Sequence, residues 1–246
     1  MIVLNNVSKR YDNGFGSPYV LRDLYLHIKP HEFVCILGKS GCGKSTLLNL
    51  LAGYIKADNG KIYVNKNQIK GPSKDMGVVF QEHALFPWFT VMQNIGFGPM
   101  INKNKDAKDI ALRYLQMIGL DEYKDYYPDQ LSGGMKQRVG IARAFANNPK
   151  ILLMDEPFSA LDPNTRQKMR DELLRIREDS GTTIVFITHD ITEAVYLADR
   201  VVVLGGGNVM DDMKIELTGT RDMHSEKFLE YVKHFEKIIN KEGEKR

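Results

Sequence analysis

Residues 38–45 read Gly-Lys-Ser-Gly-Cys-Gly-Lys-Ser, directly after the apolar block FVCIL and before the helical pattern KSTLLNLLAGY. This is a G-x-x-x-x-G-K-[ST] pattern between a strand and a helix, the context in which it forms a phosphate-binding loop. The glycines let consecutive backbone N–H groups point at one anion, and the following helix presents its positive end to that anion. The stretch therefore predicts an α/β protein that binds a nucleotide.

The other parts that such a loop requires are also present. The pattern predicts that Lys44 contacts the β and γ phosphates and that the Ser45 hydroxyl coordinates Mg²⁺. An apolar block at 151–154 ends in two acids, and strand ends border the ligand crevice of parallel sheets. We expect Asp155 to hold Mg²⁺ through its water shell and Glu156 to act as general base toward the attacking water. The alternative for this pair is a strand that simply ends in solvent.

Working outward from the loop, the hydrophobic pattern predicts the architecture. Residues 2–11 and 19–28 alternate apolar and polar side chains, as half-buried antiparallel strands do, with a polar turn at 12–18. Continuous apolar blocks, typical of strands covered on both faces, lie at 33–37, 77–80, 151–154, 184–188 and 201–204. We expect an α/β fold of the P-loop NTPase class, with a parallel-sheet core, an N-terminal antiparallel β subdomain and an inserted α-helical subdomain.

The sequence also predicts domain bounds and helix ends. We expect a single nucleotide-binding domain over 1–246, with a helical subdomain at about 86–148 and a C-terminal helix at about 220–246. Asp162-Pro163 and Gly181 delimit one helix, and Asp190 with Glu193 resembles a capping box. The apolar stripe of the C-terminal helix is predicted to comprise Phe228, Leu229, Val232, Phe235, Ile238 and Ile239, before a charged GEKR tail.

Composition excludes several functional classes. The 246 residues contain 34 Lys+Arg against 31 Asp+Glu, a formal net charge of +3, so we expect no nucleic-acid partner. Apolar runs are all much shorter than the roughly 20 residues that span a bilayer. The N-terminal residues do not resemble a secretory signal, which favours the cytoplasm. Cys35 and Cys42 are expected to be free thiols.

A further motif gives the chain a family resemblance. Residues 131–138 read Leu-Ser-Gly-Gly-Met-Lys-Gln-Arg and open a predicted helix, so Ser132, Gly133 and Gly134 form a second helix N-terminus suited to an anion. With this motif after Gln81 and before the acid pair, the chain resembles the nucleotide-binding cassettes of ATP-binding cassette (ABC) transporters. In that family the Ser-Gly-Gly turn contacts the γ-phosphate of ATP held by the other subunit. Met135 stands where the family often has Gln.

The resemblance assigns roles to the remaining positions. It implies that adenine stacks on Tyr11, that Gln81 contacts Mg²⁺ and the attacking water, that Asp162 lies in the loop crossing the dimer interface, and that His189 contacts the γ-phosphate. Taken alone, Tyr11 is more often a core or surface residue, and Asp162 is also a helix cap. ATP contacts are implied for Tyr11, Gly38, Lys39, Ser40, Gly41, Cys42, Gly43, Lys44, Ser45, Thr46, Ser132, Gly133, Gly134 and Asp162; Mg²⁺ contacts for Ser45, Gln81 and Asp155; catalysis for Glu156, His189, Gln81 and Lys44.

An aromatic segment follows Gln81 and includes Phe86, Pro87, Trp88 and Phe89. In the family this segment lines a groove that receives a short helix of the membrane permease. The alternative is that these aromatic rings are core of the helical subdomain, and Phe89 is the strongest candidate for that.

The resemblance implies a homodimer that binds two ATP·Mg²⁺ and drives a separate permease at the cytoplasmic face of the membrane, supplied by an extracytoplasmic solute-binding protein. The sequence around Pro87-Trp88 is similar to that of the nitrate/sulfonate/taurine group of import cassettes. The alternatives are a vitamin-precursor importer, an exporter or lipid-handling complex, and a soluble cassette ATPase. The cassette does not contact the solute, so the sequence does not name it.

Overall fold

The computed structural model describes residues 1–11, 18–82, 84–217 and 221–243. The chain divides into two compact units, one formed by Met1–Ser73 with Thr183–Arg246 and one by Lys74–Thr182. Most of the predicted turn at 12–18, His83 of the aromatic segment and the end of the charged tail lie outside the described residues.

The elements follow in chain order. They are β1 (Ile2–Arg10), β2 (Tyr19–Ile28), β3 (Phe33–Leu37), α1 (Lys44–Leu51), β4 (Asn59–Val64), β5 (Asn67–Gln68), β6 (Met76–Val79), α2 (Val91–Ile101), α3 (Ala107–Met117), α4 (Gly133–Ala146), β7 (Ile151–Asp155), α5 (Pro163–Ser180), β8 (Thr183–Thr188), α6 (Ile191–Leu197), β9 (Arg200–Gly205), β10 (Asn208–Lys214) and α7 (Glu226–Gly243). Two 3₁₀ turns, Asp121–Tyr123 and Pro128–Gln130, precede α4.

The first unit contains the predicted antiparallel sheet, in the strand order β2-β1-β4-β5. Ile2 pairs with Ile28 and Leu4 with Leu26, and all four side chains are buried. The period-two alternation of both strands therefore places one face of the sheet in the core, as the sequence predicts.

The same unit contains a parallel core around β3. This strand pairs in parallel with β8 and with β9, and β10 runs antiparallel to β9. All five residues of β3 are buried, and the Phe33 and Phe186 rings lie 6.0 Å apart between centroids. Strands covered on both faces explain why their sequences are continuous apolar blocks.

The second unit combines the parallel pair β6 and β7 with helices α2 to α5. The predicted helical segment at 86–148 lies wholly inside this unit. The predicted ends of α5 are confirmed: Asp162 accepts a hydrogen bond from the Thr165 amide at 3.0 Å, and Gly181 has a left-handed φ of 62°. That residues 1–246 form one nucleotide-binding domain stays a prediction.

Two predicted details differ in the structure. The C-terminal helix begins at Glu226, and although Phe228 and Phe235 are buried, Leu229 is 44% exposed. Leu229 is one residue from Phe228, about 100° around the helix, and so lies beyond the buried stripe. The capping box predicted at the start of α6 includes a third residue. The Glu193 carboxylate does not bond the Asp190 amide directly; both groups bond the Thr188 hydroxyl.

Among the helices of the described ranges, we find none with both the length and the apolar character that a bilayer crossing needs.

Candidate functional site

The loop at 38–45 has the backbone that its glycines predict. Gly41 and Gly43 adopt φ values of 80° and 105°, a region that disfavours residues with a Cβ. At Gly38 a Cβ would overlap the Leu204 carbonyl oxygen and lie 2.7 Å from Cys42 Sγ. The loop is thus held in its shape by close backbone packing, and substitution of any of these glycines strains it.

The loop lysine faces inward. Lys44 is only 5% exposed, and its ammonium donates to the carbonyl oxygens of Gly38 at 2.7 Å and Lys39 at 3.0 Å. Ser45, one residue further into α1, is exposed. The ammonium is therefore held by the backbone of the first two loop residues, while Ser45 beside it remains exposed.

Strand register brings His189 beside this loop. Leu37 of β3 and Thr188 of β8 are parallel register partners. The next residues along the two strands are Gly38, the first residue of the loop, and His189, which is exposed. Neighbouring parallel strands end at the same edge of their sheet, so the histidine and the loop lie side by side.

Tyr11 lies at the helix that follows the loop. Its hydroxyl is 3.4 Å from the Thr46 hydroxyl oxygen, within reach of a hydrogen bond in either direction. The tyrosine is 43% exposed, which leaves ring surface open to a ligand. The Lys9 ammonium lies 5.8 Å from the ring centroid and bonds Asp58, and this bond lowers the pKa of the Asp58 carboxyl.

The acid pair lies in the second unit at the end of β7. Asp155 is 9% exposed, and Glu156 has a left-handed φ of 44°, which is rare for a residue with a side chain. The Ser159 amide and hydroxyl both donate to the Glu156 carbonyl oxygen, at 3.2 and 3.0 Å. Strain of this kind persists where surrounding bonds hold it, and it concentrates at functional sites.

Gln81 shares the edge of the strand pair with these acids. Val79 of β6 and Met154 of β7 are register partners, so Gln81 and Glu156 each come two residues after a paired position. Gln81 is exposed. The nearby Phe80 carbonyl oxygen accepts from the side-chain Nε2 of the buried Gln137 of α4 at 3.4 Å, which ties this edge to the helix that starts at the Ser-Gly-Gly turn.

That turn caps α4 as predicted. Ser132 Oγ accepts from the Met135 amide at 3.3 Å, and Ser132 and Gly133 are exposed. A Cβ at Gly134 would lie 3.1 Å from the Ala160 carbonyl oxygen, so the turn packs against the loop before α5. Asp162 of that loop has a lowered pKa because it accepts bonds from the Thr165 side chain and backbone amide.

The aromatic segment divides into packed and exposed rings. Phe86, Phe89 and Phe97 form a cluster with centroid distances of 4.6 to 5.5 Å, and all three are half-buried. Trp88 is 67% exposed, and Pro87 is also exposed. The core alternative therefore describes the phenylalanines, including Phe89, better than it describes the tryptophan.

Sequence reasoning missed the residue that shapes this segment. Asn94 is fully buried and bonds the backbone of three residues in the loop before α2. Its signal was available, since Asn94 stands between Val91 and Ile95 on the buried stripe of α2, where an apolar residue is normal. The Thr188 and Glu193 pair was missed as well.

The predicted metal ligands are oxygen donors. Ser45, Asp155 and Gln81 offer a hydroxyl, a carboxylate and an amide oxygen, the hard ligands that Mg²⁺ takes. Within the described ranges, no group of three or more His, Cys, Asp or Glu could hold a metal ion. Magnesium bound with a nucleotide needs only one or two carboxylates, because phosphates and water complete its shell, so the donor set fits.

The structure thus groups the predicted residues in two sets. The first unit holds the glycine-rich loop with Lys44, Ser45, Thr46, Tyr11 and His189. The second unit holds Gln81, Asp155, Glu156, the Ser132 turn and Asp162.

Comparisons with known proteins identify the family of the chain. A family model described as ABC transporter matches residues 21–159. The aliphatic sulfonates import ATP-binding protein of Bacillus cereus is 41% identical over 234 residues, 94% of this chain and 93% of that protein. The nitrate import ATP-binding protein of Synechocystis sp. is 46% identical over 211 residues, 84% of this chain and 79% of that protein.

A solved structure gives the same answer for the fold. It is a dimeric post-hydrolysis state of an ATP-binding cassette bound to ADP and Pi, 37% identical to this chain, with a TM-score of 0.81 over 88% of this chain and 100% of that chain. The P-loop NTPase fold predicted from the sequence is confirmed.

Proposed function

Because the chain belongs to the ATP-binding cassette transporter family, and is therefore an ATP-binding ATPase, we propose that it drives the import of a small oxyanion, an alkanesulfonate or nitrate, through a separate permease. The observation that carries the ATP-binding step is the buried Lys44 ammonium, bonded to the backbone of a glycine loop whose φ values favour an anion cradle. The import ATP-binding proteins of similar sequence supply the solute class.

ATP binding uses the groups of the first unit. The Lys44 ammonium exchanges the Gly38 and Lys39 carbonyl oxygens for phosphate oxygens, and the loop N–H groups surround the phosphates. Adenine stacks on the exposed ring of Tyr11, which the Thr46 contact holds beside α1. Neither step requires the loop to change its conformation, because its glycines already hold the backbone in the shape that surrounds a phosphate.

Hydrolysis uses the acid pair and the histidine. Glu156 accepts the proton of the water that attacks the γ-phosphate, His189 contacts that phosphate, and Gln81 orients the water. Ser45, Asp155 and Gln81 would hold Mg²⁺, which supplies positive charge against the phosphate oxygens. The strained backbone of Glu156, fixed through Ser159, supports its role as base.

Two partners complete the cycle. A second copy contributes its Ser132, Gly133 and Gly134 turn to the same ATP, with Asp162 at the interface, so that ATP joins two cassettes. The solved cassette of similar fold is dimeric, which supports this assembly.

The second partner is the permease. One of its helices docks on the exposed Pro87 and Trp88 beside Phe86, and this contact keeps the protein at the cytoplasmic face of the membrane. The permease receives solute from an extracytoplasmic binding protein.

The catalytic assignment is tested by Glu156→Gln. Without the base, ATP binds but is not cleaved, so the variant should elute as an ATP-dependent dimer in gel filtration, with turnover reduced about 100-fold or more. Glu178→Gln makes the same substitution at an exposed position of α5, and this variant should behave as the unmodified protein. Unimpaired hydrolysis by Glu156→Gln would remove Glu156 from the role of base.

The solute class is tested in the native host. A strain that lacks this chain should lose growth on an alkanesulfonate as sole sulfur source or on nitrate as sole nitrogen source. Complementation with the unmodified chain should restore growth, and complementation with Glu156→Gln should not. Normal growth of the deletion strain on both anions, with loss of a different uptake, would overturn the oxyanion assignment and leave the ATPase standing.

A further inference from the structure

The exposed His189 stands between residues that are held firmly. Thr188 on one side is 2% exposed, and its hydroxyl donates to Glu193 Oε2 at 2.7 Å. Glu193 itself is 5% exposed, although it carries a carboxylate. A short bond between a hydroxyl and a buried carboxylate is a strong one, because the local dielectric is low.

The Thr188 hydroxyl makes a second bond in the opposite direction. Its oxygen accepts the Asp190 amide at 3.0 Å, and the Asp190 carboxylate accepts the Glu193 amide at 3.1 Å. A hydroxyl has one proton, so donation to Glu193 leaves its lone pairs for Asp190. The three bonds form a closed ring that spans both neighbours of His189; we call Thr188 and Glu193 the latch.

The latch also connects His189 to the core and to α6. Thr188 is the register partner of Leu37, the residue before the phosphate loop. At the far end of α6, Arg221 Nη1 donates to the carbonyl oxygens of Val195, Tyr196 and Ala198 at 3.3, 2.7 and 2.8 Å. The segment that follows His189 is therefore bonded at both of its ends.

We propose that Thr188 and Glu193 are positioning residues that hold His189 at the distance from the phosphate loop that hydrolysis requires. The inference rests on the role of His189 in the proposed function. The latch does not touch the nucleotide; it fixes the backbone on both sides of His189, which contacts the γ-phosphate in that function. Loss of the latch should therefore lower kcat and leave ATP affinity unchanged, because small displacements of a reacting group cost rate.

The test uses substitutions of nearly equal size in the full-length protein. Thr188→Val removes both hydroxyl bonds and should lower kcat about 10- to 100-fold with an unchanged Kd for ATP. Thr188→Ser keeps the hydroxyl and should restore most of the rate. Glu193→Gln keeps an acceptor and should cost less than Glu193→Leu.

Thr183→Val is the matched control. Thr183 is 5% exposed and stands at the other end of β8, where its hydroxyl accepts the His31 amide at 2.9 Å. This variant loses a bonded hydroxyl from the same strand but far from His189, and its kcat should stay within about two-fold of the original. An equal loss of kcat in Thr183→Val and Thr188→Val would reduce the latch to general support of the fold.

A double-mutant cycle decides whether the latch acts through His189. In single-turnover assays, Thr188→Val should cause no further loss beyond about two-fold in a His189→Ala protein. If Thr188→Val lowered the rate in the His189→Ala protein as much as it does in the original protein, the latch would not act through His189, and the role of His189 itself would stand. A normal rate for His189→Ala would remove His189 from the proposed mechanism, and any loss in Thr188→Val would then need another cause.

Discussion

Asn94 and Phe86 bond each other twice: the side-chain Oδ1 of Asn94 accepts the Phe86 backbone amide at 2.9 Å, and the side-chain amide Nδ2 of Asn94 donates to the Phe86 carbonyl oxygen at 3.2 Å. The same amide group donates to the carbonyl oxygens of Phe89 and Thr90, each at 3.0 Å. One buried side chain thus bonds three residues of the loop that carries Trp88.

This relationship predicts a stability effect. Asn94→Leu should lower the free energy of unfolding by about 2 to 4 kcal/mol, because it removes the side-chain partner of the part-buried Phe86 N–H and Phe89 carbonyl groups. Urea unfolding followed by circular dichroism measures it. Asn102→Leu is the matched control, since the Asn102 amide bonds Asn147 in an exposed position, and it should cost less than about 1 kcal/mol. Equal losses of unfolding free energy in Asn94→Leu and Asn102→Leu would mean that the Asn94 bonds do not stabilise the loop.

The inward ammonium predicts a binding effect. Lys44→Ala should weaken ATP binding about 10- to 150-fold, which corresponds to the roughly 1.5 to 3 kcal/mol of a charge-assisted hydrogen bond. Titration with a fluorescent ATP analogue measures the Kd. Lys61→Ala removes an equal charge from the exposed side of β4 and should change the Kd little. Unchanged affinity in Lys44→Ala would place the phosphates elsewhere.

The C-terminal helix predicts a contrast between two of its apolar residues. Phe235 is fully buried, so Phe235→Ala should cost about 3 to 5 kcal/mol of stability. Leu229→Ala, at a position 44% exposed, should cost less than about 1 kcal/mol. Chemical unfolding of both variants measures the difference. A small effect of Phe235→Ala would show that α7 contributes little to the folded state.

The Lys9–Asp58 ion pair predicts a dependence on pH. The bond from Lys9 lowers the folded-state pKa of Asp58, so its stabilising effect is complete above the unfolded-state pKa of about 3.9 and is lost as pH falls through the folded-state value. Asp58→Asn should therefore be less stable than the original protein at pH 7, by about 0.5 to 1 kcal/mol, and nearly equal to it at the lowest pH.

Thermal unfolding at several pH values checks this dependence. Asp125→Asn removes one exposed carboxylate and corrects for the general effect of net charge. A gap between Asp58→Asn and the original protein that does not close in acid would mean that the ion pair is not its source.

Local sequence signals were sufficient for most elements of this fold. The strand FVCIL, the cap at Asp162 and the turn at Gly181 follow from patterns within a few residues, because burial on two faces, capping and left-handed φ each select residue types directly. The resemblance then added roles that no local pattern carries, such as those of Tyr11 and His189.

The remainder depends on contacts between distant segments. Whether Leu229 or Phe228 faces the core depends on what α7 packs against, and the periodicity of the helix allows both. Glu193 reads as half of a capping box, and only the buried position of Thr188 redirects its carboxylate. The strained φ of Glu156 is likewise held by Ser159 and is not visible as a residue preference.

The division of the first unit into two stretches of chain also has a consequence on the ribosome. The strand before the phosphate loop pairs only with strands that begin at Thr183 and Arg200, after all of the second unit has been synthesised. Until then the nascent chain carries FVCIL, a short β-prone apolar segment without charge, with neither neighbour available to cover its edges. A transcript cut short before residue 183 would yield a polypeptide in which this strand stays uncovered, and such fragments should enter inclusion bodies or be degraded.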